Sequence, residues 1–527
     1  MAEILSKEPG YEVDIITDLF ADLKTVSLRL NLDLSRVRLK LFPFLSAEYA
    51  EKITADYDLF INATYLSSLS SSAKKNLYLC YFPTPFDVDF GAAHRFLLVF
   101  FRHSAIWLYR FADRLLKGYS DLEVIEGIYD VKRFMLGRGS WSSGKVKIAY
   151  KNSKVKNAEG SKRIISVGLK NPESSNIRVM NCYVVLRNRT GGNVIFCSHY
   201  EIKSGVVQNV EIGLREKNET ADDLILEIIS GTFVPADSSS GFKDSRQLGI
   251  YVYNRRKINF IKKIILKIVG FIPLFLVTFP RDLRFLETYD RIISISQYSE
   301  KWIRKLWDKK STILFPPVDT ERFRAGKKEK IIISVGRFFP EHHNKKQYEL
   351  ALNFIEMYKK YGEIMRGFRL VLAGGVENRP AHLEYVDRIK KICQGYPVEV
   401  LTNLKWDDLR DLLSKSLIFW HASGMGEDEQ RHPEKFEHFG ITTVEAMASG
   451  CIPVVINRGG QPEIINDEKN GFLFDSWDLM KKITADICSG CIDLEEVRKN
   501  AVGRSKDFSS KNFRQKLLGI IGDVLDG

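Results

Sequence analysis

Cysteine is scarce in this 527-residue chain: there are seven. That is too few for a disulfide framework. The one C-x-x-C, Cys488 to Cys491, has no second pair to close a zinc site, so ordinary thiols of a reducing compartment are expected. No H-x-x-H or H-E-x-x-H occurs, which removes the helical zinc-hydrolase signature. The first residues lack a basic segment followed by an apolar run, so no secretory leader is expected. No fixed-period repeat and no low-complexity tract appears, which argues against solenoids and disordered tails. No apolar run reaches the roughly 20 residues that a bilayer span needs. The most apolar stretch, 258–279, is interrupted by Lys262, Lys263, Lys267 and Pro273.

Acidic residues are outnumbered, 66 against 79 basic ones, giving a net charge of +13. That excess suits an anionic partner: phosphates, a membrane surface or nucleic acid. No nucleic-acid motif or stacking platform accompanies it, so nucleic acid is not expected. A composition of 44% hydrophobic and 28% charged residues is that of a globular protein. The length implies several domains, at roughly 100–200 residues each.

Met1 to Lys7 reads as a helix end and Tyr11–Thr17 as a strand. Tyr57–Asn62 and Asn76–Phe82 are nearly continuous apolar runs, the pattern of buried parallel strands. Between about 130 and 255 the character changes. Turn signals at 142–144, 171–172 and 190–192 separate short strands with no helix between them. This predicts an inserted β-sandwich of about 100 residues. From about 326 to 476 strands and helices alternate, with strands at Ile331–Val335, Arg369–Ala373, Val398–Leu401, Leu417–Trp420, Ile452–Ile456 and Phe472–Phe474. That series predicts a doubly wound parallel sheet, whose ligands bind at the carboxyl ends of its strands. Phe315-Pro316-Pro317-Val318-Asp319 reads as a stiff linker.

Two basic, apolar stretches, 258–279 and Phe96–Lys117, fit either helices lying in a membrane interface or core helices.

The chemistry-bearing residues cluster at the predicted strand ends. Glu437 and Glu445 stand eight apart, the first in a loop and the second in a helix that starts near Gly440. Free N–H groups at such a start suit phosphate, and glycine admits close approach. A loop carboxylate there can take sugar hydroxyls, and one in the second turn a ribose diol. Both residues can also be read as ordinary helix charges. Gly336-Arg337 follows the first strand of this series and Lys346 opens the next helix. Together they make a diphosphate site or a solvated basic helix start. His421 and Gly424 follow another strand in a loop with the makings of a lid. Asp87-Val88-Asp89 reads as a solvated acidic loop, and no metal is expected.

Segment 437–450, with Gly459-Gly460 after it, resembles the E-x7-E signature of retaining glycosyltransferase family 4. Gly336-Arg337, Lys346 and the proline linker match further motifs of that family. The resemblance is strong over about 290–475 and weak over 11–130. It implies a GT-B fold, two Rossmann-like lobes with parallel sheets, to which the β-sandwich is added. It assigns Glu437 to donor-sugar hydroxyls, Glu445 to ribose, and Arg337 and Lys346 to the leaving diphosphate. The backbone of Phe439, Gly440 and Ile441 would assist, with Gly336, His421 and Gly424 lining the donor site. No cofactor and no metal is implied beyond the nucleotide sugar.

Two departures stand out. Tyr81 precedes Pro83 where many members carry a histidine. The family's first strand and glycine-rich loop also have no counterpart here, so a start further upstream is expected.

The expected organisation is an N-terminal lobe over 1–130, the sandwich over 131–254, and the rest of that lobe and the linker over 255–325. The donor lobe follows over 326–495, and helices over 496–527 return toward the first lobe. The expected activity is retaining transfer of a sugar from a nucleotide diphosphate to a glycan, lipid-linked, in surface polysaccharide or glycoconjugate assembly. The expected location is the cytoplasm, peripheral on the inner membrane face. The rival is a non-catalytic glycan- or partner-binding protein on the same scaffold.

Overall fold

In a computed structural model, the described residues are 1–17, 21–30, 32–41, 51, 53–86, 91–116, 122–130, 134, 139–150, 164–175, 177–189, 194–214, 224–233, 248–254, 264, 268–269, 271–273, 276, 282–341 and 344–526. They form two compact units, one of residues 1–50 with 89–279, the other of 51–88 with 280–527.

The chain opens with α1 (Ala2–Ser6), β1 (Val13–Thr17), α2 (Leu23–Leu30) and β2 (Val37–Leu41), with β1 and β2 paired in parallel. Asp14 binds Arg38 at 2.7 Å and Lys40 at 2.8 Å across that pair. Strands β3 (Leu59–Asn62) and β4 (Lys75–Cys80) follow and belong to the second unit. The long helix α3 (Ala92–Leu116) returns to the first. The expected N-terminal lobe over 1–130 is therefore divided. Leu39 of β2 packs on the sandwich core.

The insertion comprises β5 (Leu122–Ile128), β6 (Ser140–Tyr150), β7 (Ile164–Lys170), β8 (Val179–Asn188), β9 (Val194–Lys203), β10 (Val207–Gly213), β11 (Leu224–Ser230) and β12 (Tyr251–Asn254). Its hydrogen-bonded order is β10-β7-β12-β6-β11-β8-β9, with β5 also on β6. The sandwich comes from one sheet folding over. Residues 140–141 of β6 pair with β12, and residues 145–150 pair with β11. Gly144 lies between them at φ +89°, where a Cβ would strike Thr232 at 2.3 Å. The alternation of β6 sends Val146 and Ile148 inward. They share one core with Leu226 and Ile228 on their own side and Ile165, Val167, Ile212 and Val252 from the other.

The second unit holds two parallel sheets. Strands β13 (Arg291–Ser294) and β14 (Thr312–Ile313) join β4 and β3 in the order β14-β13-β4-β3, with α4 (Gln297–Trp307) between β13 and β14. The larger sheet has β15 (Glu329–Val335), β16 (Arg369–Gly374), β17 (Val398–Thr402), β18 (Ser416–His421), β19 (Ile452–Ile456) and β20 (Phe472–Phe474) in the order β17-β16-β15-β18-β19-β20. The six expected strands are all present. Their helices are α5 (Gln347–Lys360), α6 (Pro380–Ile392), α7 (Trp406–Lys415), α8 (Ile441–Ala448), α9 (Gln461–Ile464) and α10 (Trp477–Ser489), followed by α11 (Leu494–Ser505) and α12 (Ser510–Asp526). The central strands are covered on both faces, hence their unbroken apolar runs. Trp420 is fully buried, with its indole N–H on Thr484 at 3.1 Å.

Contacts between the two sheets of this unit are specific. The Glu463 carboxylate accepts the backbone N–H groups of Gln297 and Tyr298, each at 2.7 Å, and so caps α4. Tyr298 donates its hydroxyl to the Pro433 carbonyl at 3.0 Å. Phe82, in the loop after β4, stacks on His438 with centroids 4.0 Å apart. Arg291 of β13 meets Asp523 of α12 at 3.4 Å.

Candidate functional site

Strands β15 and β18 are neighbours at the centre of the larger sheet, so Gly336-Arg337 and His421 emerge side by side at their carboxyl ends. Gly374, ending β16, packs on this turn: a Cβ there would sit 1.9 Å from the Gly336 carbonyl oxygen. Gln347, 1% exposed, donates its amide to the carbonyls of Gly336 and Arg337 at 3.1 and 3.0 Å. This buried side chain fixes the turn that presents Arg337. The guanidinium lies over Phe339, 5.6 Å from its ring centre, and has no carboxylate partner among the described residues.

Glu437 is the electrostatic centre. Its Oε2 accepts from Lys345 Nζ at 2.6 Å and from His421 Nε2 at 3.0 Å. Burial pushes its pKa up, but the Lys345 ammonium and the His421 hydrogen bond outweigh that and hold it well below the usual carboxylate range. Burial lowers the pKa of His421 despite the opposing pull of Glu437, so its imidazole is neutral at neutral pH. With Nε2–H donating, its Nδ1 is a buried acceptor without a partner among the described residues. Glu437 Oε1 likewise has none.

The two consecutive lysines separate. Lys346 adopts the left-handed conformation, φ +58°, as α5 begins. Its Nζ turns to Glu427 Oε1 at 2.9 Å, and Lys435 takes the other oxygen at 2.8 Å. The structure thus brings Lys345 to Glu437, while Lys346, expected at the diphosphate, pairs with Glu427. Lys345 also packs beside Gly336, where a Cβ would stand 2.7 Å from its Cγ. The sequence motif fixed a basic pair, and the left-handed turn decides which member faces the strand ends.

Gly440 has φ +119° and starts α8. Among the described residues no acceptor takes the N–H of Phe439, Gly440 or Ile441. The Phe439 ring is core, packed between Phe315 and Phe508, so only its backbone is available to a ligand. Ile441 is exposed. One turn on, the Glu445 carboxyl has no side-chain partner among the described residues, and burial pushes its pKa up to about 7. Gly424 plays a packing part: a Cβ at its φ of +90° would meet Phe436 at 2.3 Å. The Gly459-Gly460 turn supports the Glu437 loop, with Gly460 N–H donating to the Glu437 carbonyl at 2.7 Å.

Asp87 and Asp89 lie outside the described residues, as does most of 258–279. Among the described residues there is no metal-holding group of three or more His, Cys, Asp or Glu, and no helix is long and apolar enough to cross a membrane. Tyr81 is 37% exposed, and its carbonyl accepts from Ser299 at 2.8 Å. Lys345 and Gln347 lie in the segment that the sequence places at the start of a helix, but sequence reasoning assigned neither a role of its own.

Two parallel α/β sheets, together with an antiparallel β-sandwich, make this an α/β protein of GT-B fold. Residues 318–500 match the family model described as glycosyl transferases group 1. A GDP-Man:Man(3)GlcNAc(2)-PP-Dol alpha-1,2-mannosyltransferase of Dictyostelium discoideum is 28% identical over 240 residues, 42% of this chain and 45% of that protein. The enzyme of the same description from Xenopus laevis is 30% identical over 248 residues, 44% of this chain and 48% of that protein. The chain spans about half the length of the curated relatives it matches. A sucrose-phosphate synthase from Thermosynechococcus elongatus, 19% identical, superposes with a TM-score of 0.37 over 46% of this chain and 60% of that one.

Proposed function

We propose that this protein is a retaining glycosyltransferase that moves a sugar from a nucleotide diphosphate to a lipid-linked glycan. The observation that carries the reading is the Lys345–Glu437–His421 cluster beside Arg337, with amides at the start of α8 that no acceptor takes among the described residues. In this reading Arg337 and Lys345 face the diphosphate, with the amides of Gly440 and Ile441 on its oxygens. Glu437 Oε1 and His421 Nδ1 take donor-sugar hydroxyls, and Glu445 takes the ribose diol. The bond from C1 to the diphosphate oxygen breaks as the acceptor hydroxyl oxygen bonds to C1 on the same face. The acceptor proton passes to the departing phosphate oxygen. The residues stabilise charge that grows on the leaving group. No metal or other cofactor is called on.

The relatives' printed activity makes GDP-mannose the first donor to test and a diphosphate-linked polyprenyl oligosaccharide the first acceptor. The protein would then work peripherally at a cytoplasmic membrane face. The test is nucleotide release from a panel of nucleotide sugars, with detergent-extracted lipid-linked glycans as acceptor. One donor should be consumed, with a loss of about 100-fold or more in Arg337→Ala and Glu437→Ala. Release from no donor would overturn transferase function and favour a non-catalytic binding protein.

A further inference from the structure

We propose that Tyr385 is a positioning residue for the diphosphate, its hydroxyl tying together the two turns that aim Arg337 and Lys345. This deepens the reading above and rests on it for the ligand. Tyr385 lies on α6 and is 6% exposed. Its hydroxyl oxygen stands 3.2 Å from Asn344 Oδ1 and 3.4 Å from Gln347 Oε1, and accepts the Tyr348 N–H at 3.4 Å. The hydroxyl proton thus faces two side-chain amide oxygens, and each amide holds a different turn. Gln347 directs its NH2 to the carbonyls of Gly336 and Arg337, at 3.1 and 3.0 Å. Asn344 Oδ1 accepts the Lys346 N–H at 2.6 Å. That bond closes the turn in which Lys346 takes its left-handed φ and Lys345 is left on Glu437.

The hydroxyl decides the sense of both amides. A flipped Gln347 would set Oε1 against two carbonyl oxygens, acceptor on acceptor, and a flipped Asn344 would set its NH2 against the Lys346 N–H, donor on donor. In a buried network such mispairing is costly, so a donor that satisfies both oxygens holds the working arrangement. Burial pushes the Tyr385 pKa up to about 12, so the donor keeps its proton at any working pH. The same helix reaches Arg337 by a second path. His382, three residues before Tyr385 and 1% exposed, meets the Phe339 ring at 4.9 Å, and the Arg337 guanidinium lies over that ring. One face of α6 therefore supports Arg337 through its backbone and through its side chain.

The test compares affinities for GDP, UDP and ADP with those for the matching nucleosides, in the full chain and in Tyr385→Phe. The phenyl ring keeps the packing and removes only the hydroxyl. The diphosphate that binds the parent should bind Tyr385→Phe about tenfold more weakly, the scale of one lost buried hydrogen bond. Nucleoside affinity should not change, a split that a general loss of structure would not give. Gln347→Met breaks the linkage at its other end and should show the same split. The double variant should lose less than the product of the two single losses, because the residues act through one another. Equal diphosphate affinity in parent and Tyr385→Phe, an equal loss for diphosphate and nucleoside, or a full product in the double variant would each overturn the proposal. A parent that binds no diphosphate more tightly than its nucleoside would overturn the diphosphate reading itself, so the two failures are distinguishable.

Discussion

Replacing Glu445 with glutamine isolates the energetics of one buried carboxyl. The group has no side-chain partner among the described residues, and burial lifts its pKa from 4.5 to about 7. Between those values the native protein holds a proton that the unfolded chain has released. Stability therefore falls as pH rises through that window and levels off above about 7. At about 1.4 kcal/mol per pH unit, the ionised carboxylate costs about 3 kcal/mol at pH 8 and nearly nothing at pH 4.5. Glu445→Gln should consequently be more stable than the parent at pH 8, by a few degrees of Tm, and equal to it near pH 4.5. Unfolding of both proteins at pH 5 and pH 8 measures this. If a ribose diol donates to this carboxylate, a bound donor favours the ionised form. The parent's donor Kd should then tighten about tenfold from pH 6 to pH 8, while the variant's Kd should not follow. Identical pH dependence of stability in parent and variant would refute the argument from burial. A parallel donor Kd in the two would refute the ribose assignment.

Lys345→Ala should lower transfer by about 100-fold, whereas Lys346→Ala should leave the chemistry within a few-fold, because its ammonium is committed to Glu427. Steady-state nucleotide release on both variants decides between the two lysines. Gly460→Ala places a methyl 2.6 Å from the His438 carbonyl oxygen and should destabilise by about 1–3 kcal/mol, whereas Gly503→Ala, in open space on α11, should be neutral or slightly stabilising. Denaturant unfolding reads both. Glu463→Ala removes the carboxylate that accepts two backbone N–H groups at the start of α4 and should cost about 1–2 kcal/mol in the same assay.

The larger sheet was legible because its strands are buried on both faces and its turns carry glycine and proline. Their residue ranges needed only small changes at the ends. The sandwich was legible as short strands without helices, but its connectivity was not. Nothing in a period-two pattern tells a reader that β6 serves two halves, since that depends on the backbone bend at Gly144. The grouping of 1–50 with the sandwich was equally hidden, because it rests on contacts such as that of Leu39 with a distant core. At the site, Glu437, Arg337 and the α8 start were visible as residue types at strand ends. Lys345 was not, because one left-handed residue interchanges the directions of adjacent side chains. Gln347 was not either, since a buried glutamine that shapes a turn leaves no pattern in composition or spacing.

Strand β6 also sets how the insertion unfolds. A sandwich of two separate sheets can lose one layer while the other persists briefly as a paired ladder. Here β6 pairs β12 through its first residues and β11 through its last, and β5 lies on it as well. Pulling β6 out removes rungs from both layers at once and opens the shared core. The insertion should therefore melt as one cooperative foldon, with amides of β7 and of β8 reaching the same opening free energy in hydrogen exchange although they lie in different layers.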